Sequence, residues 1–548
     1  MAKKKNHVLA DKWHNSKLRV FLQPYLSWLD NWASFSLYCI RRSSSHTLAY
    51  ASKVVFIISL IGAIRGIILT RWTATTWASL VGSVVMLIPE ILQRSKDIKN
   101  NLSEKYVVMM DQKGYYDSGI EAPDEEWRKQ TVFTFCDSQY YRTTMFVHDG
   151  VNRWLQDEEM QQLVKLRLDK NANKRMKSKL SGSPFDQKYY YFLRFNYRYS
   201  QFYAKQFTNE KKWGLCSDLR PEMTNVQVQK TCYFDSYLTN IAPGKVLRSS
   251  RSGEIVSSLA ETDDDEVAPF AVRSGKKMLK QLDDCTMANE PGVTTLMLLS
   301  NGIVPIWIQS NQAQSNPGQR VVAGSGSADW SDCEPFLDQP DGLRKAVITG
   351  MERELYEESF GKRAISMEKF KENAKTRILG HFRWLEKSGK TEFVGVTCMD
   401  LERAHDSLSP EVSEVFKKGE EITAKTVSQL REALYELAHP VDRAELAMPV
   451  QQELEKLRKQ DALTEAEQKR KAELERIEAD QDRIRQYHLA LETVANEELG
   501  TVVFSRCNLS STATILMLAD WIDEALQSDP EAGQQNAFRW LSRKIAAK

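Results

Sequence analysis

The chain has 548 residues, with 75 basic and 73 acidic side chains and a formal net charge of +2. At roughly 100 to 200 residues per domain, this length predicts two or three folded units. The near balance of charge excludes a strong overall field that would attract nucleic acid or an acidic membrane, so any basic patch must be local. The eight cysteines are scattered and include no Cys-x-x-Cys pair, which predicts free thiols in a reducing compartment.

The N-terminal region, residues 1–100, contains the most apolar part of the chain and predicts a transmembrane hairpin. Its two segments, Val54–Thr70 and Trp77–Leu92, are each near the ~17-residue lower limit for a spanning helix. Arg65 would cost about 2.5 to 3.5 kcal/mol at a helix centre. Basic residues flank both outer ends, whereas the turn carries only Arg71, so both termini and the bulk of the chain are expected on the cytosolic side of the cytoplasmic membrane. The alternative is a hydrophobic helical hairpin in a soluble core.

Residues 101–290 form a mixed α/β region that is rich in aromatic side chains. The run Tyr189–Tyr197 predicts strands. Aromatic residues and cations could together stack nucleic-acid bases. However, aromatic strands are more often core, and the basic run over 170–179 is more often a solvated loop or a surface facing anionic lipid, so no nucleic-acid partner is favoured. From Gly244 to Val267 the chain becomes Ser-rich and then acidic, which predicts a flexible linker with a domain boundary nearby.

The third region, residues 291–548, begins with signals for a sheet. A strand over Thr294–Leu299, a turn at Asn301 and Gly302, and a strand over Val304–Gln309 together predict a β-hairpin. A Gly-rich turn at Ala323–Ser327 then leads to a helix. Further elements are expected after that helix, namely strands over Arg377–Leu385 and Thr391–Met399 and a closing helix over Thr512–Leu526.

The helix that begins near residue 342 carries the candidate chemistry. At 100° per residue, its apolar stripe continues on the same side as three acidic residues, Glu354, Glu357 and Glu358, whereas Glu352 lies opposite. Carboxylates on an inward face need a counter-charge, because unpaired buried charges are costly. Arg353 can pair with Glu357, which leaves two carboxylates. A hard divalent cation with oxygen ligands, Mg²⁺ or Mn²⁺, would satisfy them.

The segment Arg353–Glu358 reads Arg-Glu-Leu-Tyr-Glu-Glu and resembles the R-E-U-x-E-E core of the Nudix box, G-x5-E-x7-R-E-U-x-E-E-x-G-U, in which U is a bulky aliphatic residue. The resemblance covers roughly Pro291–Met399 and the C-terminal stretch. It implies an α+β fold with a Nudix-like mixed sheet flanked by helices, three glutamates that bind the metal, and an arginine that orients them. The flanks of the box differ from the family pattern at Gln339, Lys345 and Gly361, which stand for the leading Gly, the upstream Glu and a displaced trailing Gly.

The resemblance implies metal-assisted substitution at phosphorus in a diphosphate linkage of a nucleotide-type substrate. Mg²⁺ would neutralise the diphosphate oxygens, hold the leaving group and activate a water. Glu386, Glu392 and Glu402 are nearby candidates for the general base. The backbone N–H groups of Gly324 and Gly326 would bind phosphate, although a Gly-Ser segment is more often only a turn.

Residues 401–498 are predicted to form a helical insertion in the Nudix-like domain. The segment is highly charged, and Thr464 with Glu467 forms a capping-box pattern that starts a helix. The insertion would be a long helical hairpin that either mediates self-association or is solvated without a partner. Its helix-spaced apolar residues are Leu454, Leu457, Leu474, Ile477 and Ile484.

Three functions are compatible with these patterns. The first is a membrane-anchored Nudix-type hydrolase. The second is a non-catalytic, Nudix-like nucleotide sensor coupled to the membrane hairpin, as in a defence-type effector. The third is a membrane scaffold organised by the helical insertion, which leaves the inward acids unexplained. Lys345 separates the first two, because loss of one acid from the box can remove a metal site while the glutamate triplet is retained.

Overall fold

In the computed structural model of the chain, the described residues are 30–39, 107–117, 119–136, 139–180, 189–202, 207–259, 268–273, 275–309, 318–360, 365–400, 408, 416–438, 448–460, 464, 467–472, 474–475, 478 and 501–546. The predicted transmembrane segments at 54–70 and 77–92 lie outside these residues, as does Gly361. None of the helices among the described residues is long and apolar enough to cross a membrane.

The strands, in chain order, are β1 Val107–Asp111, β2 Trp127–Cys136, β3 Gln139–His148, β4 Lys165–Leu168, β5 Lys211–Leu215, β6 Asn225–Cys232, β7 Lys245–Ser249, β8 Ile255–Ser258, β9 Phe270–Arg273, β10 Lys276–Leu279, β11 Gly292–Leu299, β12 Ile303–Gln309, β13 Arg320–Val322, β14 Gly324–Ser327, β15 Ala374–Trp384, β16 Lys390–Met399, β17 Phe416–Thr423 and β18 Thr501–Ser505.

The helices are α1 at 30–39, α2 Asp149–Gln156, α3 Glu158–Gln162, α4 Lys170–Leu180, α5 Tyr190–Phe202, α6 Tyr233–Ser236, α7 Trp330–Cys333, α8 Gly342–Ser359, α9 Met367–Asn373, α10 Val427–Ala438, α11 Met448–Arg458, α12 Leu509–Ser528 and α13 Ala537–Ala546.

A mixed seven-stranded sheet forms the centre of the molecule, in the order β14-β11-β16-β15-β3-β2-β18. The pairs β11/β16 and β2/β18 are parallel, and the other four pairs are antiparallel. Helices pack on the sheet, so the chain is α+β as expected. Strands β2 and β3 precede the predicted boundary at residue 291 and the other five follow it, so one sheet includes both regions.

The two faces of this sheet are covered by α8 and α12. Strands β11 and β16 are buried along their whole length. Leu296 and Leu298 pack into the cluster with α12, whereas Met297 and Leu299 pack into the cluster with Leu355 of α8. A strand covered on both faces usually has a near-continuous apolar sequence. Strand β11 follows this rule apart from its two threonines, whereas β16 begins with Lys390 and Glu392, which pair with each other. Helix α8 begins at Gly342, as predicted.

The predicted hairpin of residues 294–309 is wrong in its pairing. Both strands exist, and Gly302 forms the turn with a φ of 84°. However, β11 already has β14 and β16 as its two neighbours, so β12 cannot pair with it. Instead, β12 pairs with β13 and β17 in a separate three-stranded sheet.

The aromatic run at 189–197 is helical, so the prediction of strands there is wrong. It lies in α5, where Phe192, Leu193, Asn196 and Ser200 are buried at helical spacing. The aromatic side chains do form a core, since Phe35 of α1 stacks on Tyr197 with ring centroids 4.4 Å apart.

The basic run before it is also helical. It forms α4, whose Ala172, Met176 and Leu180 are buried. Its lysines and Arg175 are exposed on the other side, so the run is a solvated surface but not a loop.

The predicted linker at 244–267 contains structure in its first part. Strands β7 and β8 pair with each other there, and β7 also pairs with β1. Residues 260–267 lie outside the described residues.

The predicted helical insertion at 401–498 is wrong in its first part. Strand β17 pairs with β12, and α10 packs against α12 within the main core. The second part agrees with a helical hairpin: Leu454, Leu457 and Leu474 form a separate small cluster. The capping box is confirmed, because the Thr464 N–H donates to Glu467 Oε2 at 2.9 Å.

The cysteines that the structure describes with their side chains are free thiols, as predicted: Cys39, Cys216, Cys232, Cys285, Cys333, Cys398 and Cys507.

Candidate functional site

Helix α8 places the glutamate triplet across the edge strand β14. The side chain of Glu354 is only 13% exposed and Glu358 is buried, so these two face inward as predicted. Glu357 differs, because its side chain is 48% exposed. Glu352 is not on a solvated face either. It is half-buried, and burial raises the pKa of its carboxyl group, a shift opposed by hydrogen bonding to Thr376.

The Gly-rich segment 324–327 is strand β14, paired with β11, and not a turn. A Cβ on Gly326 would overlap the carboxyl group of Glu354, and a Cβ on Gly324 would lie 2.8 Å from the Cβ of Leu355. Both glycines therefore allow α8 to lie directly on the strand. The N–H of Ser325 donates to Glu358 Oε2 at 2.8 Å, so this amide already has an acidic acceptor. Phosphate binding by Gly324 and Gly326 stays a prediction.

Arg353 contacts a group of acidic side chains, which we call the acidic cluster. Its guanidinium donates to both carboxylate oxygens of Asp332 at 3.0 to 3.2 Å and to the Ser327 carbonyl at 3.0 Å. It also contacts Glu354 at 3.0 Å and Glu357 at 3.3 Å. Burial would lower the pKa of Arg353, but the neighbouring carboxylates, Glu354 first, raise it above its usual value. Its predicted role of orienting these glutamates fits this geometry.

Asp332 and Asp329 were not predicted from the sequence. Both lie at the start of the short helix α7, where they form a capping box. An Asp-x-x-Asp spacing is a recognisable helix-start signal, but nothing in it indicates that Asp332 also pairs with Arg353, 21 residues away. Lys345, which replaces the upstream glutamate of the box, donates to the Pro340 carbonyl near the start of α8.

Lys212 was also missed, because it lies in the middle region on β5. Its side chain is only 6% exposed, and its ammonium contacts Asp329 at 2.6 Å and Glu210 at 3.1 Å. Burial lowers the pKa of Lys212, but the carboxylates of Glu290, Glu210, Asp329 and Glu354 together raise it well above its usual value. The middle region therefore supplies a buried cation to the acidic cluster.

The cluster carries more carboxylates than cations. Five carboxylates contact the two cations Arg353 and Lys212, namely Asp329, Asp332, Glu354, Glu357 and Glu210. Burial raises the pKa of Glu354 to about 7, although Arg353 and Lys212 oppose the shift.

Carboxylate oxygens suit Mg²⁺, so the chemistry of the donor set fits a hard divalent cation. The present spacing fits less well. In the part of the chain that the structure describes, no three His, Cys, Asp or Glu side chains are grouped closely enough to hold a metal ion. The guanidinium of Arg353 lies between Glu354 and Glu357, and Glu358 is turned to β14.

The two candidate bases that the structure describes, Glu392 and Glu386, lie apart from this cluster. Glu392 pairs with Lys390 at 2.9 Å and contacts Ser510 of α12, so it lies on the sheet face opposite α8. Glu386 accepts the Thr144 N–H at 2.8 Å, and burial raises its pKa to about 7. Glu402 lies outside the described residues. Neither of the two described glutamates contacts Arg353 or Lys212.

No family model matches the chain, and no curated protein matches it. The interpretation of the site therefore depends on the residues and their geometry.

Proposed function

We propose that the chain is a membrane-anchored, Mg²⁺-dependent hydrolase of Nudix type that cleaves a diphosphate linkage in a nucleotide-type substrate. The observation that supports it best is the excess of carboxylates around Arg353 and Lys212, at the place where α8 lies on β14. A group of carboxylates that is half open to solvent at Glu357 can attract a divalent cation.

In this proposal, Glu354, Glu357 and Glu358 hold Mg²⁺. Bound Mg²⁺ supplies charge neutralisation on the diphosphate and an activated water. Arg353 positions Glu354 and Glu357, and Asp332 fixes Arg353 through its two-oxygen contact. Lys212 offsets the charge of Asp329 and Glu210 next to the site.

The test is calorimetric titration of the full-length protein with Mg²⁺ and Mn²⁺, together with a hydrolysis screen against nucleotide diphosphates. Changes of even an outer-shell partner of a metal ligand cost 10- to 100-fold in affinity. Glu354→Gln and Glu358→Gln should therefore weaken metal binding by roughly tenfold or more, with a parallel loss of hydrolysis. Glu372→Gln is the matched control, because this glutamate is exposed on α9. Equal metal affinity of wild type and the Glu357→Gln, Glu358→Gln double variant would refute the metal site.

A second candidate is the non-catalytic nucleotide sensor. It is supported by the two cations that already contact the acidic cluster and by the absence of an acid at position 345. The same screen separates the two functions: a sensor binds a nucleotide diphosphate without turnover, and its binding persists when the metal is chelated.

Membrane anchoring is part of the proposal and is supported by the two flanks of the predicted hairpin. Phe35 of α1 and Val107 of β1 are both buried in one aromatic cluster. Cys39 and Val107, the described residues on either side of the predicted hairpin, therefore both lie in this cluster. A segment whose ends meet in one core has both ends on the same side of a membrane, as a two-helix hairpin requires.

A further inference from the structure

A cavity of about 630 Å³ lies on the α12 face of the central sheet, the face opposite α8. Its walls are strands β2 and β3 and the edge strand β18, with α12 across from them and α2 at one end. The volume is within the 300 to 1,000 Å³ that is typical of small-molecule sites. The cavity contains none of the residues of the acidic cluster.

Part of the cavity lining is apolar, although polar groups make up most of its accessible surface. Its lining includes Met145, Val147, Leu379, Val503 and Met517, which belong to the core between the sheet and α12. A mixed lining of this kind suits a heterocyclic ring, because the faces of such a ring are apolar and its edge carries hydrogen-bonding groups.

One polar group in this wall is left unsatisfied. Gln130 is on the same side of β2 as Val132, is 8% exposed and lines the cavity. Among the described residues, its carboxamide has no hydrogen-bond partner. Its amide atoms are not cut off from solvent, so they face the open space of the cavity and are accessible to a ligand. A ligand that offers one donor and one acceptor side by side would satisfy both halves of this carboxamide.

The neighbouring polar groups are already fixed. Gln156 donates to the Leu379 carbonyl at 2.6 Å, and Asn152 accepts the backbone N–H of His381 at 2.8 Å. Of these three amide side chains, Gln130 is therefore the one whose carboxamide has no partner among the described residues and can contact a ligand.

The rim carries a slight excess of negative charge. Asp149 pairs with Arg128, and Asp523 pairs with Arg431. That leaves two carboxylates, Asp520 and Glu524, which lie one helical turn apart on α12, against the single guanidinium of Arg153. A phosphate at this rim would meet like charge, so the rim selects an uncharged or cationic molecule.

We infer that this cavity is a second ligand site, which binds an uncharged heterocycle of nucleobase or nucleoside size through an amide-type edge at Gln130. The inference does not depend on the proposed hydrolase, because the two sites are on opposite faces of the sheet.

The experiment is calorimetric titration of the full-length protein with adenosine, guanosine, cytidine and uridine, and with their 5′-monophosphates. At least one nucleoside should bind saturably and more tightly than its monophosphate. Gln130→Leu keeps the volume and removes both hydrogen-bonding groups, so it should weaken binding roughly tenfold or more. Gln227→Leu changes an exposed glutamine on β6, in another sheet, and should have no effect.

Two further variants separate this site from the acidic cluster. Asp520→Asn should raise the affinity for the monophosphate by roughly two- to fivefold, as expected for removal of one exposed like charge. Glu354→Gln should leave nucleoside binding unchanged, even if it abolishes hydrolysis. The inference is overturned if no nucleoside binds saturably, or if Gln130→Leu binds nucleosides as the wild type does.

Discussion

At the scale of single residues, Gly324 and Gly326 look equivalent in the sequence but differ in the atoms that a side chain at each position would meet. A side chain at Gly324 would press on the Cβ and backbone of Leu355, whereas a side chain at Gly326 would meet only the end of the Glu354 side chain. A backbone obstacle cannot move, but a flexible carboxylate can.

We therefore expect Gly324→Ala to destabilise the protein by about 1 to 3 kcal/mol, the usual cost of overpacking. Gly326→Ala should cost less than about 1 kcal/mol, the net worth of a hydrogen bond, yet displace Glu354 from Arg353 and reduce metal binding. Denaturant unfolding measures the first effect and calorimetry the second. Similar stability loss in both variants would contradict this assignment.

The buried side chain of His381 makes the stability of the protein depend on pH. It is buried between Trp127 and Phe393, and both ring nitrogens lack a hydrogen-bond partner among the described residues. Burial, followed by the charges of Arg383 and His148, lowers its pKa from 6.5 to about 3. The unfolded chain therefore binds the proton between these two pH values, so this histidine reduces the free energy of unfolding as the pH falls from about 6.5 to 3.

His381→Phe keeps an aromatic ring and removes the titration. We expect a change within about 1.5 kcal/mol at pH 7, and a smaller loss of stability than in the wild type between pH 7 and pH 4.5. Denaturant unfolding at the two pH values measures the difference. Identical pH dependence in the variant would show that other groups dominate the acid response.

The sequence located part of the site for a physical reason. Helical periodicity is local, so it placed Glu354 and Glu358 inward without knowledge of the fold. The other charged groups of the site come from other elements. Asp332, which binds Arg353, is 21 residues away from it, and Lys212, whose charge acts on Glu354, is 142 residues away from that glutamate. No local pattern encodes a contact of that kind.

At the scale of elements, the strands β11, β15 and β16 were predicted with nearly correct bounds. The pairing of strands was harder to predict, because the choice of neighbour depends on the whole sheet. Strand β11, the expected partner of β12, pairs with β14 and β16 instead. The prediction of strands for the aromatic run of α5 was wrong, because closely spaced aromatic side chains are compatible with both a strand and a helix.

The helical insertion gives a prediction at this scale. Leu454, Leu457 and Leu474 form their own cluster, and Arg458 and Arg470 make ion pairs with Glu478 and Glu453 of the same segment. Replacing residues 447–495 by a short linker should therefore remove helical circular dichroism while the remaining protein still melts cooperatively.

The matched control is removal of β17 and α10, residues 416–438, which pair with β12 and pack into the main core. This deletion should abolish cooperative melting. If the deletion of 447–495 also does so, the hairpin is part of the core.

At the scale of the whole molecule, the protein is expected to stay with membranes and to expose both termini on the cytosolic side. Terminal tags should be accessible to protease in inverted vesicles and protected in right-side-out vesicles. Recovery of the full-length chain in the soluble fraction without detergent would exclude the anchor.

The strand order of the central sheet affects how the chain folds during its synthesis on the ribosome. Strand β2 ends at Cys136, but its outer neighbour β18 begins at Thr501. At roughly 5 to 20 residues per second, about 20 to 70 s of synthesis separate the two strands. During that interval one edge of β2 has no strand to pair with, and an open, partly apolar edge is a template for aggregation. A chaperone that shields this edge until translation ends would therefore raise the yield of folded protein.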